Sequence, residues 1–334
     1  MTAFTGRREF ITLLGGAAVA SSLLWPLGAG AQQAMPVVGF LNGASPAQLG
    51  PRVEAFRAGL VEKGYVEAHS VAIEFRWGLG QNERLPELAA DLVRQRVAVI
   101  AATGGVPSVR AAKRATSAIP IVFTMGGDPV AFGLVASMNH PGGNVTGITL
   151  ISGEIVSKRI ALLHDLLPGA KTLAVLMNAT APASAAEVAV AERVAHTLGW
   201  RVKVLKVGGE RDFEAAFQPL ARERADALLV TTDPVFESQR DRIVALAASY
   251  ATPAIYALRE YALAGGLMTY GSSITDVYRQ AGVYAGRILN GETAANLPVM
   301  QASKFELLIN LKTAKMLSLQ VPPALLAVAD EVIE

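Results

Sequence analysis

From Met35 onward, short runs rich in Val, Ile, Leu and Ala alternate with longer stretches in which apolar residues recur every third or fourth position. The short runs predict strands at Val37–Leu41, Val71–Trp77, Val97–Ala102, Ile121–Thr124, Leu173–Met177, Val202–Val207, Ala227–Thr231 and Ala254–Tyr256. Between them, Leu85, Leu88, Ala89, Leu92 and Val93 fall at helical spacing, as do Ile160, Leu163 and Leu167, so these helices bury one stripe against a sheet. Strand and helix in alternation predict an α/β chain whose parallel sheets are covered on both faces.

The two halves of this pattern resemble each other. Leu41-Asn42-Gly43-Ala44-Ser45-Pro46-Ala47 and Met177-Asn178-Ala179-Thr180-Ala181-Pro182-Ala183 share a strand-ending Asn followed by Pro-Ala, at an offset of 136. Val97–Gly104 matches Asp226–Asp233 at 129, and Ile119–Phe123 matches Thr252–Tyr256 at 133. Three matches in order predict two like lobes. Open α/β sheets bind ligands beyond the carboxyl ends of their strands, so two such edges face to face enclose a cleft. Asn42 to Pro46, Thr103 to Pro107 and Gly126 to Pro129 line one wall. Asn178 to Thr180, Thr231 to Pro234 and Tyr256 to Arg259 line the other. Glycines there let backbone N–H groups approach a ligand, and Ser45, Thr103 and Thr180 sit just ahead of helices, where a carboxylate meets oriented donors. Asp128 and Asp233, each followed by Pro, suit an ammonium group or, equally, a turn or helix cap.

The N-terminus breaks the pattern. Arg7-Arg8 precede an apolar run from Ile11 to Leu27, and Ala29-Gly30-Ala31 supplies a small-residue cleavage site, which together read as a twin-arginine signal peptide over residues 1–31. A retained anchor is the alternative, since the run approaches the roughly 20 residues needed to span a bilayer; Gly15, Gly16 and Pro26 weaken it. Of 334 residues, 51% are hydrophobic, enough for a large core and against disorder. The 30 Lys and Arg nearly balance 28 Asp and Glu without a basic block, which argues against nucleic acid as a partner. The absence of Cys excludes disulfides, thiolate chemistry, Cys-ligated metals and a lipid-modified cysteine.

Catalytic signatures are missing as well. There is no Gly-Lys dipeptide for a phosphate loop and no His-Glu for a zinc helix. The four histidines, His69, His140, His164 and His196, stand singly, so no metal, cofactor or catalytic triad is expected.

Particular segments carry a family likeness: Asp128-Pro129-Val130 with Gly133-Leu134-Val135; His140-Pro141-Gly142-Gly143-Asn144-Val145-Thr146-Gly147; Leu166-Leu167-Pro168; Gly265-Gly266-Leu267; Gly286-Arg287-Ile288-Leu289-Asn290-Gly291-Glu292; Asn310–Lys315; and Val321-Pro322-Pro323. In this order they resemble the ABC transporter substrate-binding proteins of the tryptophan/tyrosine-binding, TrpX-like family. The resemblance implies a type I periplasmic binding protein, two Rossmann-like lobes joined by a hinge. It places lobe 1 at 36–148 plus about 258–295 and lobe 2 at 149–257 plus about 296–334. It implies a periplasmic, monomeric solute receptor, not an enzyme, that delivers an amino acid or related carboxylate or aromatic solute to an ABC permease and its ATPase subunit. An exported hydrolase or a ligand-presenting sensor receptor on the same frame is the alternative.

Carried over residue by residue, the resemblance puts Asn42, Ser45, Thr103, Gly104, Gly105 and Asp128 in the first wall, and Asn178, Thr180, Asp233 and Tyr256 in the second or the hinge. In amino-acid binders of this kind, hydroxyls and backbone N–H groups hold the carboxylate and an acid holds the amine. Pro141-Gly142-Gly143-Asn144 reads as a turn into the first crossover. Tyr256, Arg259 and Tyr261 could stack on a planar ligand and pair its carboxylate; equally, Tyr256 could be core and Arg259 a hinge ion pair with Glu260 or Asp128. Tyr270 has the same two readings.

Overall fold

The computed structural model describes residues 35–150, 153–223 and 225–334. The leader expected over residues 1–31, with Arg7 and Arg8, lies outside the described residues. No helix among the described residues is long and apolar enough to cross a membrane.

Five strands open the first sheet: β1 (Val37–Asn42), β2 (Ala72–Trp77), β3 (Val99–Ala102), β4 (Ile121–Met125) and β5 (Val145–Thr149). All pair in parallel, in the order β2-β1-β3-β4-β5. Helices α1 (Pro46–Val61), α2 (Leu85–Arg94) and α3 (Val106–Ala115) connect them. Side chains alternate across the sheet as period two requires. Val38 and Phe40 face α1, with Phe56 and Leu60, while Leu41, Ile100 and Phe123 face α2 and α3, with Leu85, Leu92 and Val109.

The second half of the chain repeats this plan. After α4 (Gly153–Leu166) come β6 (Thr172–Asn178), α5 (Pro182–Thr197), β7 (Arg201–Val207), α6 (Phe213–Glu223), β8 (Ala227–Val230), α7 (Pro234–Ser238), α8 (Arg240–Ser249), β9 (Ala254–Tyr256), α9 (Arg259–Leu263) and β10 (Met268–Ser272). The strand order β7-β6-β8-β9-β10 is that of the first sheet. Pro begins α5, where its fixed φ suits a first turn and its missing N–H costs no bond. Asp233 caps α7 by accepting from the Val235 N–H at 2.8 Å.

The chain then returns. Helix α10 (Ile274–Leu289) packs on α1 and the first sheet, and β11 (Met300–Gln301) pairs with β5. β12 (Phe305–Asn310) crosses back to pair antiparallel with β10, and β13 (Glu331–Ile333) lies beside it. The second sheet is therefore parallel except where β12 meets β10. Contact between α1 and α10 needs glycine: a Cβ on Gly59 would lie 1.9 Å from the Arg279 carbonyl oxygen, and one on Gly282 2.1 Å from that of Phe56.

Sheet membership moves two expected boundaries. Residues 258–272 stay with the second sheet, because β10 is the fifth strand of its order, so the second crossing lies at Ser272–Ile274 and not near 258. β11 belongs to the first sheet, so the third crossing follows Gln301 and not 295. The Gly in Met-Thr-Tyr-Gly-Ser and the brevity of β11 hid both strands. The crossings are laced together: the Ala302 N–H donates to the Thr149 carbonyl at 2.9 Å, and the Ser273 N–H to that of Lys304 at 2.8 Å.

Candidate functional site

At the carboxyl edge of the first sheet, Asn42 ends β1 with 3% exposure. Its Oδ1 accepts from the Ala44 N–H at 2.8 Å, and its Nδ2 donates to Thr103 Oγ1 at 3.0 Å and Tyr278 Oη at 3.3 Å. The Tyr278 hydroxyl donates in turn to the Thr103 carbonyl at 3.0 Å, and burial holds this phenol above its ordinary pKa. Gly104 brings the loops after β1 and β3 into contact, since a Cβ there would lie 2.2 Å from Ser108 Oγ and 2.7 Å from the Gly43 nitrogen. Gly105, at φ 75°, turns the chain into α3. Ser45 is half-buried just ahead of α1.

The second edge copies the first. Asn178 ends β6; its Oδ1 accepts from the Thr180 N–H at 3.0 Å and the Thr180 hydroxyl at 2.8 Å, and its Nδ2 donates to Asp233 Oδ2 at 3.1 Å. In both lobes an Asn thus holds its own turn and reaches the loop after the third strand. Here that partner is a carboxylate where the first lobe has a hydroxyl. Behind it lie two charges that sequence reasoning missed. Arg159 of α4 is 3% exposed and donates from Nε to the Tyr270 carbonyl at 2.7 Å; its Nη1 stands 3.5 Å from Glu187 Oε2. Glu187 of α5 accepts from the Thr232 N–H at 3.2 and 3.1 Å. Burial pushes the Arg159 pKa down and that of Glu187 up, each charge partly countering the effect on the other.

A third missed group joins the lobes. Arg52 of α1 pairs with Glu237 of α7, and with Glu260 of α9 at 3.3 Å, while its guanidinium lies 5.9 Å from the Tyr278 ring centroid. Burial works against this charge, but Glu237, Tyr278 and Glu260 outweigh it, leaving the guanidinium above its ordinary pKa. The sequence did carry a signal. Arg159 sits among Ile155, Val156, Ile160 and Leu163, and Arg52 among Leu49, Val53 and Phe56, at the spacing of each helix's buried stripe.

The other expected wall residues divide. Asp128 is exposed, and its Oδ1 accepts from the Val130 N–H at 2.8 Å, the turn role. Tyr256 is buried in the second lobe's core, stacked on Tyr261 with centroids 4.7 Å apart, and so offers no face to a ligand; burial also raises its pKa. Arg259 pairs with Glu331 at 2.7 Å and Glu306 at 3.4 Å, inside the second lobe and not with Glu260 or Asp128. Tyr270 is half-buried and stacks on Phe305, with centroids 6.1 Å apart. Asn144 donates to the Thr116 and Ile119 carbonyls at 3.1 and 2.8 Å, which makes the Pro-Gly-Gly-Asn segment a structural turn. Among the described residues no three His, Asp or Glu side chains converge to hold a metal. A void of about 10 Å³ beside Tyr256 and a hollow of about 180 Å³ lined by Arg57, Tyr65 and Val66 both lie away from these edges.

The sequence model of a family described as ABC transporter substrate binding protein matches residues 37–333. A protein of Clostridioides difficile (strain R20291) named tyrosine-binding protein is 28% identical over 267 residues, 80% of this chain and 76% of the relative. Among solved structures, an ABC domain from Streptococcus pneumoniae in complex with L-Trp superposes with a TM-score of 0.81 at 24% identity, covering 89% of this chain and 99% of that one. The ligand-free, open structure of a substrate binding protein with adhesive properties from Clostridium difficile superposes with a TM-score of 0.72 at 25% identity and the same coverage.

Proposed function

The chain belongs to the ABC transporter substrate-binding protein family, and from that premise we propose that it is the solute receptor of an importer. It has the type I periplasmic binding protein fold, and the family binds small solutes. In this reading the chain is a monomer exported to the periplasm by the leader at residues 1–31. It captures its solute between the lobes and hands it to a membrane permease driven by a separate ATPase. The wall comprises Asn42, Ser45, Thr103, Gly104 and Gly105 on the first lobe and Asn178, Thr180 and Asp233 on the second, with Asp128 at its rim. The solute is an amino acid or a related carboxylate or aromatic compound, in keeping with the relative named for tyrosine.

The observation that carries this reading is the pairing of two like edges, each with its Asn-centred network, across an ion pair contributed by both lobes. Such a frame closes on a ligand by shifting a hinge equilibrium, with affinity arising from the closed state. The purified mature protein, screened by thermal shift against amino acids, aromatic acids and nucleosides, should gain stability with one class by mass action and return the solute unchanged. Turnover of that solute by the purified protein would overturn the receptor reading in favour of an enzyme.

A further inference from the structure

Arg159 carries a charge that the second sheet does not need. Its guanidinium reaches over the carboxyl ends of the strands. Nε bonds the Tyr270 carbonyl at 2.7 Å, Nη1 meets Thr232 Oγ1 and Glu187 Oε2 only at 3.5 Å each, and Nη2 lies 3.5 Å from where a Cβ on Gly271 would sit. A guanidinium has five N–H donors, and a buried one left under-served is unfavourable. One short bond serves this one, and among the described residues Nη2 has no hydrogen-bond partner. Glu187 does not fill the gap, because both its oxygens are drawn to the Thr232 N–H. The next residue along β10 from Gly271 is Ser272, whose hydroxyl is buried with no partner. Thr232, Tyr270 and Glu187 around the guanidinium are only half-buried, so it lies one side chain below the edge that faces the first lobe.

We infer that Arg159 is the second lobe's receptor for a carboxylate of the solute, which accepts from Nη1 and Nη2 in the two-pronged geometry of the guanidinium fork, with Ser272 as a further donor. This rests on the solute-receptor reading and deepens it: the solute is anionic at the end that meets the second lobe. Glu187, 3.5 Å from Nη1, is the resident counter-charge with which that carboxylate competes.

The test is calorimetric titration with matched acids and amides: L-tyrosine and L-tyrosinamide, L-tryptophan and L-tryptophanamide, benzoate and benzamide. At least one acid should bind the wild type tenfold or more tightly than its amide. Arg159→Gln should abolish that preference, the acid falling to the amide's affinity while the amide stays within twofold. Arg159→Lys should keep part of it. Equal weakening of acid and amide by Arg159→Gln would make the residue a structural tie between α4 and β10, and a wild type indifferent to the carboxylate would end the inference at once. If Arg159→Gln does not fold, Glu187→Gln supplies the readout: removing the competing charge should widen the acid-to-amide ratio, and an unchanged ratio overturns the assignment. Binding of ribose or adenosine without any acid would refute the carboxylate and leave the receptor reading standing, whereas no binding in either panel counts against both.

Discussion

Arg52→Leu tests whether the lobes close through the ion pair that spans them. Arg52 rises from α1 of the first lobe and meets Glu237 and Glu260, both on the second, with its side chain 12% exposed and theirs 27% each. Hydrogen bonds to charged groups are worth about 1.5–3 kcal/mol each, and the partial exposure of the carboxylates discounts the two bonds to about 2–3 kcal/mol together. The buried and unpartnered Glu260 Oε2 adds to the penalty once the cation is gone. With the lobes apart, all three groups are hydrated and the substitution changes little, so the loss falls on the closed state. At about 1.4 kcal/mol per decade, the closure constant drops roughly 30- to 150-fold. In a receptor that is open when empty, that whole factor appears in Kd. Calorimetry with the solute found by screening gives Kd, and small-angle scattering gives the radius of gyration. The variant should bind weakly and, at sub-saturating solute, stay expanded, with an unliganded Tm close to wild type. Unchanged affinity would refute the clamp. A collapse of unliganded Tm equal to the loss in binding would place the role of Arg52 in folding instead.

Two further substitutions probe the frame. Gly282→Ala puts a Cβ 2.1 Å from the Phe56 carbonyl oxygen and 3.0 Å from the Leu60 nitrogen, forcing α10 off α1; urea denaturation should show a loss of at least about 2 kcal/mol, and a wild-type midpoint would show that the helices part freely. Arg76 holds Asp91 below its ordinary aspartate pKa through a 2.7 Å hydrogen bond. A depressed carboxylate adds stability above its unfolded pKa and loses it as pH falls through the folded value. Arg76→Met should therefore flatten the acid limb of the stability profile at and below the ordinary aspartate range and leave its slope near neutrality unaltered; an acid limb identical to wild type would remove the pair from the account.

Much of the frame is legible in the sequence because local chemistry and global fold agree there. β1, β3, β4, β6, β8 and β9 are short apolar runs buried on both faces, β2 and β7 mix apolar and polar residues as half-buried edge strands do, and the repeat of Asn42 in Asn178 marks both carboxyl edges. β5, β10 and β12 escape for separate reasons. Gly147 interrupts the first and Gly271 the second, while β12 alternates Glu306 and Leu307 in a short antiparallel pairing that a search for parallel strands passes over. At the two carboxyl edges, the bonded pairs Asn42–Thr103 and Asn178–Asp233 are legible from their places at the strand ends. Tyr256 is not, because a strand-end aromatic looks the same whether it faces solvent or the core, and the packing of α9 turns it inward against Tyr261. Arg52, Arg159 and Glu187 depend on helices meeting the far lobe or the strand ends, a tertiary fact. A charged residue on an apolar stripe was their only trace.

The return of α10 and β11 to the first sheet has a consequence for how the protein is made. The lobe that begins the chain is not finished at its beginning. Its helix α10 covers the face of Phe40, Phe56 and Val122, and its last strand ends at Gln301 of 334 residues. Until the ribosome has passed that point, a nascent lobe of residues 35–149 exposes the part of that sheet face which α1 leaves open and the unpaired edge of β5. The second lobe is completed later still, because its outer strands β12 and β13 join the sheet only with Asn310 and Ile333.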